Sequence, residues 1–178
     1  MQRISLAIFL IFLMVSISQA DQNDPKLEIL FNDLSQTQSE MKAQPILLEI
    51  WSIWSVAIDT KTQEKFDAGN QLMSKRQYDE SILMFSDAIN LQPTFAEAWN
   101  KRATVNYIIG NYEESISDIF STLELEPRHF GALDGLAQIY MLQNKYFKAA
   151  QVYRKILEIL PYNKKAIMHL EYLEQSFI

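Results

Sequence analysis

The sequence predicts an all-α protein built from repeated helical hairpins, and three observations carry this prediction. Proline recurs with a period of 34 residues, at Pro93, Pro127 and Pro161. Between the prolines the apolar residues follow helical spacing, as in Ile82, Phe85 and Ile89. Only 4 of the 178 residues are glycine and 5 are proline, which is too few for a turn-rich all-β fold.

The first 20 residues have the features of a cleavable export signal. Arg3 gives a basic start, residues 6–15 are apolar and uncharged, and Ser18 and Ala20 form a small-x-small exit. Even residues 4–17 fall short of the roughly 20 residues that a helix needs to cross a bilayer. We therefore expect cleavage before Asp21 rather than retention as an anchor. The destination is then the periplasm in a bacterium or the secretory pathway in a eukaryote.

Residues 21–60 are predicted to form a helical pair. Asp24 and Pro25 are typical of a helix start, and they precede apolar residues at helical spacing. A second helix is expected around residues 47–58. Because Phe31 falls in the 34-residue register with Trp99, we hypothesise a degenerate leading repeat that covers the N-terminal end of the array.

Two tryptophans in this segment, Trp51 and Trp54, allow two interpretations. Aromatic residues at helical spacing are most often buried in a core, here against the first repeat. Aromatic residues also dominate the binding hot spots of interfaces, so the same pair could dock a partner such as an envelope enzyme complex. The sequence favours packing and leaves docking as the alternative.

Three repeats follow, at residues 61–94, 95–128 and 129–161, and a capping helix at 162–178 ends the chain. Several residue types recur at the same place in each repeat: a small residue at Gly69, Ala103 and Ala137, a tyrosine at Tyr78, Tyr112 and Tyr146, and a second small residue at Ser81, Ser115 and Ala149. The small residues let two helices approach closely, and each proline disfavours helix in the residue before it. Asn163 is a suitable N-terminal cap for the last helix.

These marks resemble the tetratricopeptide repeat (TPR) family, and the resemblance covers residues 62–161. The family pattern is matched best by residues 136–161 and by Trp99 with Ala103. Three segments, at residues 49–54, 99–104 and 126–132, together resemble small exported bacterial TPR proteins. The resemblance implies a right-handed solenoid of helical hairpins that binds another protein. Two residues depart from the pattern: Lys65 replaces a large apolar residue and Arg102 replaces leucine. We expect both positions to be looser or partly exposed.

The resemblance also implies a concave groove lined by the first helix of each hairpin. Carrying the inward-facing positions across gives nine residues: Phe66, Asn70 and Met73 in the first repeat, Asn100, Thr104 and Tyr107 in the second, and Asp134, Gln138 and Met141 in the third. Such a mixture suits an extended peptide or a partner helix. An ordinary solvated face is the alternative interpretation.

One kind of TPR partner is disfavoured, namely the acidic C-terminal tail of cytosolic chaperones. The family grips such tails with Lys, Asn and Arg, whereas the matching positions here are Phe66, Asn70, Lys101, Gly131 and Gly135. Only Asn70 agrees. After removal of residues 1–20 the net charge is 15 − 22 = −7, since Arg3 is the only charge removed. A net negative charge repels an acidic tail. It also disfavours binding to nucleic acid or to an anionic membrane, which require a basic surface.

The sequence carries no pattern that indicates catalysis or a bound metal or cofactor. It has no cysteine, no glycine-rich phosphate loop and no Gly-x-Ser-x-Gly elbow. His129 and His169 are the only histidines, and neither has a partner at the spacing of a helical zinc site. Arg128 and His129 are expected in a solvated turn rather than an anion site. We therefore predict a binding protein rather than an enzyme, with a hydrolase as a remote alternative and the oligomeric state left open.

Overall fold

The structure, a computed structural model, describes residues 22–37 and 39–176. The predicted export signal at residues 1–20 therefore lies outside the described residues. Within the described ranges every regular element is a helix, which confirms the all-α prediction. The elements are α1 (Lys26–Gln36), α2 (Glu40–Trp54), α3 (Thr60–Ser74), α4 (Tyr78–Leu91), α5 (Ala96–Ile108), α6 (Tyr112–Leu125), α7 (Phe130–Leu142), α8 (Tyr146–Ile159) and α9 (Lys164–Ser176).

Helices α3 to α8 form three hairpins, α3–α4, α5–α6 and α7–α8, which stack in chain order with α9 packed on the last one. The recurring small residues hold each hairpin together. The hydroxyl of Ser81 donates to the carbonyl of Gly69 at 2.8 Å, and Ser115 donates to Ala103 at the same distance. Phe85 and its counterparts Ile119 and Tyr153 are fully buried between the helices. Residues 34 positions apart therefore make equivalent contacts in successive hairpins.

Local chemistry defines several helix starts. The carboxylate of Asp59 accepts the backbone N–H of Thr62 at 3.0 Å to cap α3. The predicted cap Asn163 accepts the N–H of Ala166 at 2.9 Å. Helix α1 begins where Asp24 and Pro25 predict it. Helix α2 begins at Glu40, earlier than expected, and ends at Trp54, so residues 55–58 lie beyond it.

We call α1 and α2 with their flanking residues, 22–37 and 39–58, the N-terminal strap. The strap lies along the turn edge, which we define as the side of the array where each hairpin connects to the next, at residues 92–95, 126–129 and 160–163. Gln22 donates to the carbonyl of Thr94 in the first turn. Glu28 pairs with Arg128 in the second turn at 2.8 Å. Helix α1 therefore runs along the turn edge in the direction of the array.

Helix α2 returns in the opposite direction. At its start Glu40 pairs with Lys164 of α9 at 3.2 Å, and near its end Trp54 contacts His129. Beyond it the N–H of Ile58 donates to the side chain of Gln92 at 2.9 Å. Helices α2 and α3 make almost no contact in the described part of the chain, whereas successive hairpins pack closely. The hypothesis of a degenerate leading repeat stacked on the N-terminal end is therefore wrong.

The open N-terminal end of the array explains one departure from the family pattern. Lys65 corresponds in register to Trp99, which is partly buried, and to Leu133, which is buried. Among the described residues α3 packs against α4 and, weakly, α5, so Lys65 remains partly exposed and pairs with Asp87 of α4 at 2.7 Å. A polar end face is what a terminal repeat requires in water.

Arg102, the second departure, is not loose. Its guanidinium donates two hydrogen bonds to the carboxylate of Asp118, at 2.8 and 2.7 Å, and a third to the hydroxyl of Ser86 in the preceding hairpin. Asp118 is 4% exposed. This charged group replaces the apolar contact of the family pattern, and it joins the first two hairpins.

Candidate interaction groove

A groove of about 300 Å³ lies between α5 and α7. Its floor consists of small and aliphatic residues: Ala103, Ile119, Gly131, Ala132 and Gly135. Its rim is mostly polar and includes Thr104, Tyr107, Asp134 and Gln138 with the exposed side chain of Ile108, while Asn100 lines the groove from a buried position. An apolar floor with a few polar groups around it is typical of a binding site for a side chain or a small ligand.

Hydrogen bonds hold the polar rim in place. Gln138 donates to the carboxylate of Asp134 at 2.8 Å, and Lys165 of α9 donates to the same carboxylate at 2.8 Å. The hydroxyl of Thr104 donates to the carbonyl of Asn100 at 2.9 Å. The rim is therefore ordered before any partner arrives, which lowers the entropic cost of binding.

The structure brings together five of the nine predicted groove residues, namely Asn100, Thr104, Tyr107, Asp134 and Gln138. The four others do not line this groove. Phe66 is 2% exposed and packs between the rings of Phe85 and Phe95, with centroids 5.8 and 4.8 Å away. Its inclusion was wrong because the first repeat uses this position for its core.

Met73 and Met141 are partly buried and pack against the two apolar cores. Asn70 is half-exposed on α3, away from the groove. Sequence reasoning also missed the floor. In the sequence Gly131 and Gly135 indicate that the charges of a chaperone-tail site are absent, but glycine at an inward-facing position is also a signal of open space.

The strap closes one end of the groove. The six-membered ring of Trp51 lies so close to Gly131 that a Cβ atom there would come within 2.7 Å of it. The ammonium group of Lys101 lies 5.9 Å from the centroid of the same ring. Trp51 therefore lies beside the groove at Gly131.

The proposed docking role of the two tryptophans fails for Trp54, which is 1% exposed. Its indole stacks on the imidazole of His129, and Trp51 meets the ring of Phe130 edge-on with centroids 5.3 Å apart. The tryptophans are packed in a core, as the packing interpretation expects, but the expected contact with the first repeat was wrong. The tryptophans pack against the turn before α7 and not against the first repeat.

His129 is fully buried rather than solvated, contrary to expectation. Its Nδ1 accepts the N–H of Ala132 at 3.1 Å and caps α7, while its Nε2 lies 2.9 Å from a carboxylate oxygen of Glu97. Arg128 pairs with Glu126 and with Glu28 of the strap. Both residues of the turn are thus held by contacts within the protein.

Among the residues that the structure describes, no group of three or more His, Asp or Glu side chains is arranged to hold a metal ion. None of the helices in that part of the chain is long and apolar enough to cross a membrane.

The fold and the groove define a helical-repeat protein of stacked antiparallel hairpins. The profile of the tetratricopeptide repeat matches residues 66–127. A TPR repeat-containing protein of Rhizobium etli is 32% identical over 141 residues, which cover 79% of this chain and 69% of that protein. The chain belongs to the tetratricopeptide-repeat family.

Other relatives share only a part of their length with this chain. Sperm-associated antigen 1 of Rattus norvegicus is 31% identical over 108 residues, 61% of this chain and 12% of that protein. The first TPR of Spaghetti (RPAP3), solved bound to the HSP90 peptide SRMEEVD, superposes with a TM-score of 0.62 at 20% identity and covers 67% of this chain and 95% of that one. MamA gives a TM-score of 0.62 at 19% identity, with 65% and 68% covered. At these identities the structures support the fold.

Proposed function

We propose that this protein is a non-catalytic interaction scaffold that binds an extended peptide segment of a partner protein in the groove between α5 and α7. The groove itself carries the proposal. It combines an apolar floor with an ordered rim of amides and hydroxyls, and these groups can hydrogen-bond the main chain of a peptide. Five residues expected to face a partner from the family register meet there.

The family relationship supports a peptide partner. The Spaghetti (RPAP3) domain was solved with a bound HSP90 peptide, and this chain shares its fold. The acidic character of that peptide does not fit the groove described above. Lys101 already pairs with Glu97 at 3.4 Å, Phe66 is buried, and Gly131 has no side chain to contribute a charge. We therefore propose a partner segment without an acidic end.

We further propose that the protein acts outside the cytoplasm, in the periplasm of a bacterium. The support is the basic, apolar and small-x-small pattern of residues 1–20. Mass spectrometry of the protein recovered from its native host tests this point. A chain that begins at Asp21 is expected, and a chain that retains residues 1–20 would contradict cleavage.

Site-specific photo-crosslinking tests the groove. Peptides are first selected from a random 15-residue library against residues 21–178, and a photoreactive amino acid then replaces Thr104 on the rim. Ser117, exposed on the outer helix α6, serves as the matched control. We expect selected peptides to crosslink from Thr104 and not from Ser117. Equal crosslinking from both positions, or crosslinking from Ser117 alone, would refute the groove as the binding site.

A Gln138→Arg variant provides a second measurement. The larger charged side chain on the rim should weaken binding of the selected peptides at least tenfold, whereas Ser117→Arg should leave their affinity unchanged. The melting temperatures of both variants show whether the change acts through binding or through stability.

A further inference from the structure

Three of the four glycines of this chain have a structural reason. A Cβ atom on Gly69 would come within 2.6 Å of the ring of Phe85, and one on Gly131 within 2.7 Å of Trp51. Gly110 has a φ of 85°, in the left-handed region that other residues adopt at a cost. Any side chain at these three positions would collide with the fold or strain the backbone.

Gly135 has no such reason. It lies in the interior of α7, and among the described residues outside this helix an added Cβ would meet only the Cδ1 of Ile119, at an ordinary contact distance of 3.5 Å. Glycine in a helix interior is less stable than alanine, because it loses more backbone entropy on folding. Folding alone would therefore favour alanine at this position.

The missing side chain has one visible effect, which is to keep the groove open. Gly135 lies on the floor beside Ala103 and Gly131, between the polar rims of α5 and α7. Stability lost at a position that folding does not constrain is a mark of function.

We propose that Gly135 determines specificity by leaving room for one large apolar side chain of the partner, which inserts between α5 and α7. This inference rests on the proposed peptide-binding function and adds the chemistry of the anchor residue. A volume of about 300 Å³ leaves room for a side chain the size of leucine or phenylalanine. The floor is apolar, so such a side chain gains free energy by leaving water.

Charge on the rim argues against a charged anchor. The carboxylate of Asp134 is already paired with Lys165 and hydrogen-bonded to Gln138, so it is not available to hold a charged anchor. The polar rim instead meets the main chain on either side of the anchor.

Blocked amino acids serve as probes of the anchor site. N-acetyl-leucinamide and N-acetyl-phenylalaninamide are titrated into ¹⁵N-labelled residues 21–178, with N-acetyl-glycinamide as the control compound. We expect the first two to shift the amide signals of Gly131, Gly135 and Gln138 at millimolar concentration, and the glycine compound to leave them unchanged. Equal shifts with all three compounds would overturn the anchor.

Two variants complete the test. Gly135→Ala should raise the melting temperature by about 1–4 °C and weaken binding of the leucine probe at least fivefold, and Gly135→Leu should abolish that binding. Ser117→Leu adds the same side chain as Gly135→Leu, but on the exposed face of α6, and should leave the affinity for the leucine probe unchanged. A lower melting temperature for Gly135→Ala, or undiminished binding by Gly135→Leu, would overturn the inference.

The two proposals fail in different ways. If the library peptides crosslink from Thr104 but bind Gly135→Leu as tightly as the parent protein, the groove binds peptides without this anchor. If crosslinking from Thr104 is absent, the proposed function fails and the anchor falls with it.

Discussion

The indole of Trp54 stacks on the imidazole of His129, with ring centroids 4.2 Å apart and planes inclined by 13°. This contact joins the N-terminal strap to the turn between the second and third hairpins. The other face of the junction is also aromatic, because Phe31 lies 6.0 Å from Trp54 and the guanidinium of Arg128 lies 4.2 Å from the ring of Phe31. The strap is therefore bound to the array through a buried core of its own.

Trp54→Ala should destabilise the protein by about 3–5 kcal/mol, the usual cost of removing a buried aromatic side chain. The reason is that the Trp54 side chain is 1% exposed and fills the space between the strap and the turn edge. Chemical unfolding measures the change. Phe147→Ala is the matched control, because Phe147 is 66% exposed and its loss should cost less than about 0.5 kcal/mol. Similar losses for both variants would mean that the strap is not packed as described.

Arg102→Leu should destabilise the protein even though leucine is the residue that the family favours there. The change leaves the carboxylate of Asp118 buried without its cation, which typically costs about 3–5 kcal/mol. Replacing both residues, in Arg102→Leu with Asp118→Leu, should recover most of the loss because a buried ion pair adds little net stability. Thermal melts of the two single variants and the double variant measure this coupling. Additive losses would contradict it.

Arg76→Gly should raise the stability by about 1 kcal/mol. Arg76, Gly110 and Asn144 occupy the same place in the turn of each hairpin, and all three have a positive φ, of 60°, 85° and 57°. Arginine adopts this conformation at a cost that glycine avoids. Equilibrium unfolding in urea gives the change. The control is Gly110→Ala, which should lower the stability by a similar amount, and a neutral outcome for both would exclude backbone strain at this turn.

Stability should fall in alkali through Tyr153. Burial, with smaller contributions from Asp134 and Tyr107, raises the pKa of this phenol to about 12. In the unfolded chain tyrosine ionises near pH 10, so between pH 10 and 12 the unfolded state releases the proton first and gains stability relative to the folded state. The contribution of Tyr153 is therefore constant below about pH 10 and is lost by an amount on the order of 1–2 kcal/mol as the pH rises through the pKa.

Comparison with Tyr153→Phe isolates this effect from other alkaline titrations. The hydroxyl of Tyr153 has no hydrogen-bond partner among the described residues. The phenylalanine variant should therefore be as stable as the parent at pH 7 or about 1 kcal/mol more stable. Above pH 10 it should lose less stability than the parent. Parallel pH profiles for the two proteins would contradict this prediction, because they would show that the pKa of Tyr153 is the same in the folded and unfolded states.

The sequence by itself determined the repeat architecture of this protein. Small residues, aromatic residues and prolines recur every 34 positions because each hairpin makes the same contacts as the next one. The repeated contacts therefore appear in the sequence as residue types repeated with the same period. The starts of α1 after Asp24 and Pro25 and of α9 after Asn163 were predictable for a similar reason, since the side chains of Asp24 and Asn163 accept from backbone groups at most three residues away.

The tertiary structure decided where the strap lies and which predicted groove residues meet. The rings of Trp54 and His129 stack although the two residues lie far apart in the sequence. A local sequence pattern does not indicate which distant residue a side chain will contact. Phe66 and Asn100 likewise share an inward-facing register, yet one fills the core of the first repeat and the other lines the groove. Which of them lines a groove depends on the neighbours that stacking provides, and register alone does not contain that information.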